Sequence, residues 1–522
     1  MSVGRFAVVV GALLLAGIAH AQPDPTDVDG GVAIDVGALV AGADAGVIEL
    51  VAAPTTTATA TTTTMTPPTA TTTTKVSPRL LSEMKSGIVQ TLGGRAMGFV
   101  GIVSMMLIAW LLSTDRKRVS WRLVAIGVAL QLVFALLVLK TAAGAAVFAA
   151  GNDLITGLLK FSETGSRFVF GNLVDNLVPV NAASGPDQPA VALLANTGAM
   201  IAFRVLPTVL FFSALTAVCY HLGLLQRVVN VLAVVMQKTM GVSGAESLST
   251  SANIFLGQTE APLLVRPYLE KMTNSELCCV MTGGFATVAG GVMAAYVGML
   301  SETFPDIAGH LMAASVMAAP ATLVMSKLMV PETEVPETSG GAEIPKEKLD
   351  ANVIDAATRG ISEGLMLALN VGAMLIGFLA LLALVNAAIG GAFGLIGLSG
   401  MTLERIFGWI GAPLAFLLGT PIDDVAAVGQ LIGTKTVVNE FVAYLQLGAM
   451  MDAGTITHGK SVVIAVYALC GFANFGSIGI QIGGLAALMP SRRSDLARLG
   501  LRAMTAGALA SFQTAAVAAM VL

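Results

Sequence analysis

Long apolar stretches alternate with short polar ones from residue 96 to the end of the chain. A membrane-spanning helix needs about 20 predominantly apolar residues, and the pattern predicts eight such spans. They cover residues 96–112, 123–139, 205–222, 277–298, 310–328, 361–385, 461–482 and 503–522. The segment 140–200 is mixed in character, and we expect it to include an interfacial helix. The pattern therefore predicts an all-α polytopic membrane protein.

Basic residues in the short loops predict the orientation of the spans. Four basic residues between positions 116 and 122 follow the first span, and an Arg-rich loop at 492–502 precedes the last. Short loops rich in Lys and Arg lie on the cytoplasmic side, and we expect the charged loop 329–359 there as well. Eight spans with both chain ends outside satisfy all three assignments. We therefore expect a multi-pass protein of the cell inner (plasma) membrane, with extracytoplasmic N- and C-termini.

The first 90 residues differ in composition from the rest. Residues 1–21 have the features of a secretory signal peptide, with Arg5, a short apolar run and an Ala-His-Ala cleavage pattern; an uncleaved anchor is the alternative. Residues 22–90 are rich in Thr, Asp, Gly and Ala. Such a composition cannot bury a core, so we expect a disordered, Thr-rich extracytoplasmic tail.

Two segments, 241–271 and 402–447, are too interrupted by Gly, Pro and polar residues to be spans. Irregular backbone at membrane depth is tolerated only where it is buried in protein or lines a cavity, so we predict two re-entrant hairpins. Each carries a lone Glu, Glu260 or Glu440, and each is followed by a span containing Gly-Phe-Ala. The hairpins enter from opposite sides. This pattern indicates an inverted repeat, whose substrate site lies near the bilayer midplane.

Composition agrees with a membrane protein and argues against other classes. The chain is 55% hydrophobic and only 11% charged, whereas soluble domains carry roughly 25% charged residues. A net charge of −4 gives no reason to expect a nucleic-acid partner. The four Cys lie in apolar stretches without a C-x-x-C pattern. We therefore expect them to be small buried residues rather than disulfide or metal ligands.

The two hairpin carboxylates are the main candidates for function. A charged side chain at the bilayer centre costs at least about 2.5 kcal/mol, so Glu260 and Glu440 need a cation, ligand hydroxyls or protein groups as partners. A purely structural role in the hairpin tips is the alternative. Gln258 and Thr259 add an amide and a hydroxyl beside Glu260. This set suits a neutral polar ligand better than an anion.

Further polar residues follow the second Gly-Phe-Ala. Asn474 and Ser477 are three residues apart and share one helix face, and Phe472 adds an aromatic surface. A carboxylate, a carboxamide and a hydroxyl suit adjacent sugar hydroxyls, while Phe472 and Gln258 could hold a flat heterocycle. Interhelical polar packing of Asn474 and Ser477 is the alternative.

A cation would need hard oxygen ligands. Asn253 in the first hairpin and Thr287 in the fourth span supply an amide and a hydroxyl oxygen, and unwound backbone would add carbonyls suited to sodium. Asp423 and Asp424 follow Pro421 and are interpreted as a polar turn. They are adjacent in sequence, so they do not match an intramembrane protease, which needs one Asp on each of two spans.

The chain from 95 to 522 resembles the concentrative nucleoside transporter family. Three motifs carry the resemblance: G-Q-T-E-A-P-L-L-V-R-P-Y-L at 257–269, G-T-K-T-V-V-N-E-F-V-A-Y at 433–444 and C-G-F-A-N-F-G-S-I-G at 470–479. The resemblance implies a homotrimer. Each protomer would have scaffold spans and a transport domain that carries both hairpins and moves in an elevator-like manner.

The resemblance also implies roles for individual residues. Contacts to the base are implied for Gln258, Thr259 and Glu260. Contacts to the ribose are implied for Glu440, Asn474 and Ser477, with Phe472 lining the pocket. A sodium site is implied at the side chains of Asn253 and Thr287 and the carbonyls of Leu256 and Val288.

The function that we expect is secondary active transport, with nucleosides imported by symport with sodium and without an enzymatic step. Apart from sodium as the coupling ion, we expect no cofactor. Some bacterial members of the family are proton-driven, so proton coupling is the first alternative. An intramembrane enzyme and a structural membrane protein are the others.

Overall fold

The computed structural model describes residues 92–175, 177–182, 191–196, 201–342, 350–398 and 400–522. The predicted signal peptide and tail lie outside these residues. Sixteen α-helices make up most of the described chain. They are α1 Leu92–Leu111, α2 Trp121–Lys140, α3 Ala142–Phe170, α4 Leu206–His221, α5 Leu224–Met240, α6 Gly244–Ala252, α7 Asn274–Ala286, α8 Gly290–Leu300, α9 Ile307–Met329, α10 Val353–Gly394, α11 Leu403–Leu417, α12 Val425–Val437, α13 Glu440–Asp452, α14 Gly459–Leu469, α15 Phe475–Leu488 and α16 Arg493–Val521.

One small sheet interrupts the helical pattern. Strands β1 Leu177–Ala182 and β2 Val191–Asn196 pair antiparallel, with Leu177 opposite Asn196. They lie in the mixed segment 140–200, which also contains a 3₁₀ turn Gly171–Val174, and a π-helical turn Ile201–Val205 directly precedes α4. The described fold is therefore helical apart from this two-stranded sheet.

Seven helical stretches are long and apolar enough to cross a membrane. Six overlap predicted spans: Trp121–Lys140, Ile201–His221, Asn274–Leu300, Ile307–Met329, Val353–Gly394 and Pro490–Val521. The seventh, Ala142–Val174, lies where an interfacial helix was expected. The first predicted span is the shorter helix Arg95–Leu111, and the span predicted at 461–482 consists of two short helices, α14 and α15. The count of eight spans remains a prediction.

The hairpin segments are broken helices. In the first, α6 ends at Ala252, and a 3₁₀ helix Ala261–Lys271 returns after the irregular tip 253–260. Ser243 and Glu246 form a capping box at the start of α6, which satisfies the backbone N–H groups of both residues. The N–H groups of Gly244 and Ala245 donate to the carbonyl and hydroxyl oxygens of Thr338.

The predicted bounds of the second hairpin are wrong. Segment 402–447 contains three helices, α11, α12 and part of α13, and α13 continues to Asp452. α11 packs along α12 through Gly411 and Gly429, where an added Cβ would lie 2.2 and 2.5 Å from the other backbone. The sharp break is at Val438 and Asn439, and Asn439 caps α13 by accepting from Val442 N at 2.9 Å. The predicted segment includes α11 because this apolar helix contains Pro413 and is therefore interrupted in the same way as a hairpin.

The two Gly-Phe-Ala segments meet at the centre of the protein. α7 ends at Ala286, and the break between α14 and α15 contains Gly471 at φ +117°, where an added Cβ would lie 2.6 Å from Phe285 O. Ser511 Oγ of α16 lies 2.6 Å from Cys470 O and 3.4 Å from Ala286 O. The repeat predicted from sequence thus places its two irregular segments in direct contact.

Burial separates inner from outer helices. In α9, 89% of the apolar stretch is buried, whereas in the 42-residue helix α10 only 11% is buried. α9 therefore lies in the interior, and α10 presents most of its apolar surface outward.

Candidate functional site

A cavity of about 350 Å³ lies between the two hairpin tips and the break after α14. Ligand pockets in proteins usually enclose about 300–1,000 Å³. All seven predicted substrate residues line this cavity: Gln258, Thr259, Glu260, Glu440, Phe472, Asn474 and Ser477. These residues come from three separate parts of the sequence, so the fold has brought polar groups from all three parts to a single site.

Glu440 is the most firmly held side chain in the cavity. It is the first residue of α13 and only 5% exposed, and its Oε1 accepts a hydrogen bond from Tyr296 Oη at 3.0 Å. Its Oε2 accepts from Asn474 Nδ2 at 3.0 Å. A helix N-terminus favours a carboxylate because of the helix dipole. Each carboxylate oxygen retains lone-pair capacity for a ligand hydroxyl.

Asn474 connects the helix break to the carboxylate. As the N-cap of α15 it accepts from Ser477 N through Oδ1 at 2.8 Å, while its Nδ2 donates to Glu440. Because both ends of the amide are engaged, its orientation is fixed by the hydrogen bonds themselves. The cap also places the Ser477 side chain at the cavity wall.

The first hairpin contributes side chains that make fewer hydrogen bonds within the protein. Glu260 Oε2 accepts from Gly257 N at 3.3 Å, and the side chain is half-buried. Gln258 is 9% exposed, and its Oε1 is buried without a hydrogen-bond partner among the described residues. A buried amide oxygen without a partner is costly. This tip therefore has hydrogen-bonding capacity available for a ligand.

The predicted cation ligands lie where the first hairpin tip meets the break between α7 and α8. Asn253 caps the C-terminus of α6, donating through Nδ2 to Ser249 O at 3.0 Å, and Thr287 Oγ1 donates to Gly283 O at 2.9 Å. Gly290 N donates to Phe255 O at 3.1 Å, which joins the two irregular segments. Leu256 and Val288 are in these same segments and are buried.

One atom at this junction fits a cation. Asn253 is 1% exposed, and its Oδ1 is buried without a hydrogen-bond partner among the described groups. An amide oxygen is a hard ligand of the kind that alkali and alkaline-earth cations prefer. The donor set at this junction is thus compatible with sodium.

Several cavity residues were not predicted from sequence. Tyr296 is fully buried on α8 and donates to Glu440, and Asn370 of α10 lines the cavity opposite the hairpins. Asn370 could have been found from the sequence, because it is a polar residue within the predicted apolar span 361–385. Tyr296 gives a weaker signal, since it is only one of five Tyr in the chain.

The adjacent acidic residues at 423–424 do form a turn, but the two differ. The Asp423 side chain is 66% exposed, whereas Asp424 is fully buried and accepts from Thr457 N and His458 N at 3.0 and 2.9 Å. Asp424 therefore joins the start of α12 to the loop before α14, away from the cavity.

Three family models match the chain. The Na+ dependent nucleoside transporter N-terminus matches residues 100–173, its C-terminus matches 310–519, and a nucleoside recognition (Gate) model matches 202–303. The chain belongs to the Na+-dependent nucleoside transporter family. The resemblance inferred from the three motifs is confirmed. As a member of this family the protein is a multi-pass membrane transporter and not an enzyme, with nucleosides and sodium as the family's substrates.

Relatives and solved structures of the family extend over most of the chain. An uncharacterized transporter of Haemophilus influenzae is 45% identical over 81% of this chain and 96% of its own length. Sodium/nucleoside cotransporter 1 of Mus musculus is 40% identical over 80% of this chain and 63% of its own length. The structure of CNTnw in an inward-facing, substrate-bound state matches with a TM-score of 0.71 at 39% identity, covering 81% of this chain and 97% of that one. An outward-facing variant of CNTnw gives 0.72 at 38% identity, covering 82% and 97%.

Proposed function

We propose that the protein imports nucleosides by symport with sodium, and that the cavity around Glu440 is the nucleoside site. One observation carries the proposal: polar groups from both predicted repeats line a single cavity of suitable size. Nucleosides are neutral and rich in hydroxyl and heterocyclic groups, which matches a cavity of carboxylates, amides and hydroxyls better than an anionic substrate would.

The orientation of the ligand is suggested by which cavity side chains are already hydrogen-bonded to other protein groups and which are not. Glu440 and Asn474 are held by protein hydrogen bonds, so they are pre-organised to receive the two adjacent ribose hydroxyls, with Ser477 beside them. Gln258, whose side-chain oxygen has no hydrogen-bond partner in the part of the chain that the structure describes, would then face the base together with Thr259 and Glu260. Phe472 would close the pocket against the ligand.

Sodium would bind at the junction of the first hairpin and the α7–α8 break. The side chains of Asn253 and Thr287 and the carbonyls of Leu256 and Val288 would hold it. Asn253 Oδ1, which accepts no hydrogen bond from any described residue, supports this assignment. Replacing Asn253 by Ala should raise the sodium concentration for half-maximal uptake by at least about tenfold, since losing one good ligand costs roughly 1.4 kcal/mol or more. Saturation with nucleoside at high sodium should persist.

The proposal extends to the membrane topology and the oligomeric state of the protein. The exposed apolar face of α10 and the loop charges support eight spans with two re-entrant hairpins, and both termini on the extracytoplasmic side of the inner membrane. We also propose that the buried helices move as one transport domain against an outer scaffold in an elevator-like cycle, within a homotrimer. Crosslinking in membranes tests the trimer, and a dimer or monomer there would contradict it.

Uptake of radiolabelled uridine into proteoliposomes tests the function. An inward sodium gradient should drive uptake, and other nucleosides should compete for it. Uptake that ignores sodium but collapses when a proton gradient is abolished would establish proton coupling instead. Failure of every purine and pyrimidine nucleoside to compete would overturn the substrate class.

A further inference from the structure

A row of polar side chains on α15 continues beyond the cavity into the protein interior. Asn474, Ser477 and Gln481 are spaced three and four residues apart, so they share one face of the helix. The first two line the cavity, whereas Gln481 lies one turn further along α15 and is fully buried. A buried amide is unfavourable unless its hydrogen bonds are made, so the partners of Gln481 matter.

The Gln481 amide is held at one end only. Its Nε2 donates to Met281 O of α7 at 2.9 Å. Its Oε1 is buried and accepts no hydrogen bond from the residues that the structure describes. The bond to α7 restrains the amide, so Oε1 can be satisfied only by a donor that comes to it.

The tip of the first hairpin lies against this part of α15. The point where a Cβ of Gly284 would be lies 2.6 Å from Gln258 Cβ and still closer to Gln481 Nε2. One residue along the tip, Thr259 Cγ2 lies 2.9 Å from the corresponding point of Gly484. Gln258 and Gln481 therefore lie against the same glycine, which has no side chain to separate them.

Gln258 has the same unsatisfied group as its neighbour. It lines the cavity, and its Oε1 is buried without a donor among the described groups. Each amide nitrogen also carries two donor hydrogens. If Gln258 Nε2 donates to Gln481 Oε1, the Gln258 oxygen is directed away from Gln481 and can accept from an N–H group of a bound base. This arrangement gives both oxygens a donor.

We propose that Gln481 is a positioning residue for base recognition, whose Oε1 holds the Gln258 amide with its nitrogen toward α15 and its oxygen toward the base. The inference rests on the proposed nucleoside site and deepens it. Because Gln258 then accepts a hydrogen bond from the base, the site selects bases that present an N–H group. A base without one would leave the Gln258 oxygen unsatisfied.

Equilibrium binding of three ligands tests the proposal. Uridine is compared with zebularine, whose pyrimidinone base has no N–H group and no 4-oxygen, and with 2′,3′-dideoxyuridine, which keeps the base and lacks the ribose hydroxyls. Wild type should bind uridine at least about fivefold more tightly than zebularine, since an unsatisfied buried acceptor is unfavourable. In Gln481→Leu the Gln258 amide is free to turn, so this preference should largely vanish. The preference for uridine over the dideoxy analogue should stay that of the wild type.

A double-mutant cycle tests whether Gln481 acts through Gln258. The preference for uridine over zebularine is measured in Gln258→Ala, with and without Gln481→Leu. Gln258→Ala should abolish most of the preference, and adding Gln481→Leu should change it no further, because the side chain that Gln481 positions is already gone.

Gln131→Leu is the matched control. Gln131 is also fully buried, its Nε2 donates to Thr514 Oγ1 at 3.0 Å, and its Oε1 lacks a donor within the described part of the chain. It joins α2 to α16 and does not line the cavity. The variant should therefore lower the melting temperature and leave both ligand preferences unchanged.

Two further variants at position 481 separate the acceptor from the shape of the side chain. Gln481→Glu, as the neutral acid that burial favours, can donate to Met281 O and still offer an acceptor oxygen, so it should keep the wild-type preference. Gln481→Met has a similar shape and only a weak acceptor, so it should behave as Gln481→Leu and replaces that variant if leucine prevents folding.

Three results would overturn the proposal. The first is a wild-type protein that binds uridine and zebularine equally. The second is a folded Gln481→Leu protein that keeps the wild-type preference between them. The third is a Gln481→Leu effect that is equally large in the Gln258→Ala background or on the ribose preference, since that would indicate a general loosening of the cavity. A wild-type protein that binds no nucleoside would instead refute the nucleoside site on which the proposal rests.

Discussion

The Tyr296 hydroxyl is expected to position the Glu440 carboxylate for its ligand. Tyr296→Phe removes only this hydroxyl, which donates to Glu440 Oε1 at 3.0 Å. The ring stays in place because it is fully buried, stacks on Tyr444 at 4.4 Å between centroids and meets Phe441 edge-on at 5.8 Å. The variant therefore changes one hydrogen bond to a charged acceptor and little else.

The free energy lost with this hydrogen bond is divided between the stability of the protein and its affinity for the ligand. A hydrogen bond to a charged group contributes about 1.5–3 kcal/mol, but this one is present without ligand, so most of its loss falls on stability. Binding loses the cost of ordering the released carboxylate, about 0.5–1.5 kcal/mol for one immobilised side chain. We therefore expect the Kd for uridine to rise about 2- to 12-fold.

Equilibrium uridine binding to purified protein measures this effect, with thermal unfolding recorded in parallel. Tyr444→Phe is the matched control. Its hydroxyl donates to Val466 O at 2.8 Å, so removing it should lower stability and leave the Kd unchanged. An unchanged Kd in Tyr296→Phe would refute the positioning role. A loss beyond about 100-fold in a folded protein would show that the hydroxyl contacts the ligand itself.

Two further predictions concern stability. Gly471→Ala should destabilise the protein strongly, because the φ of Gly471 is +117° and the new Cβ would lie 2.6 Å from Phe285 O. Gly479→Ala on α15 is the control, and it should be neutral or stabilising because there is open space around this position. Equal melting temperatures for the two variants would contradict this prediction. Asp424→Asn should cost about 1.5–3 kcal/mol at pH 7, because a carboxylate that accepts several hydrogen bonds is lost. Burial raises the pKa of Asp424, but hydrogen bonds from the backbone N–H groups of Thr457 and His458 and from the Thr457 hydroxyl outweigh it and hold the pKa below its usual 3.8. The wild-type advantage should therefore be complete above about pH 4 and disappear as pH falls through the lowered pKa, and a gap that stays constant with pH would contradict this.

Much of the site could be predicted from sequence because its signals are local. Lone carboxylates in apolar segments, the repeated Gly-Phe-Ala and the spacing of Asn474 and Ser477 can each be read within a few residues. The fold then brings these residues to one cavity.

The features that were missed depend on contacts distant in sequence or on backbone conformation. Tyr296 donates a hydrogen bond to Glu440, which is 144 residues away in the sequence, and the residues next to either one give no signal that the two side chains meet. The span predicted at 461–482 is mostly apolar, and its break depends on the positive φ of Gly471 and its contact with Phe285. The segment predicted as the second hairpin includes α11, because hydropathy alone does not separate two helices that pack closely through glycine.

The pairing of Glu440 with the ribose is the central claim, and a double-mutant-style binding cycle tests it most directly. Binding of uridine and of 2′,3′-dideoxyuridine is measured for wild type and for Glu440→Gln, after gel filtration shows that the variant is folded. Wild type should prefer uridine by at least about tenfold, since each hydroxyl donated to the carboxylate contributes roughly 1.5–3 kcal/mol. In Glu440→Gln, uptake should be abolished and the preference should largely vanish. Full discrimination retained in Glu440→Gln would contradict the account.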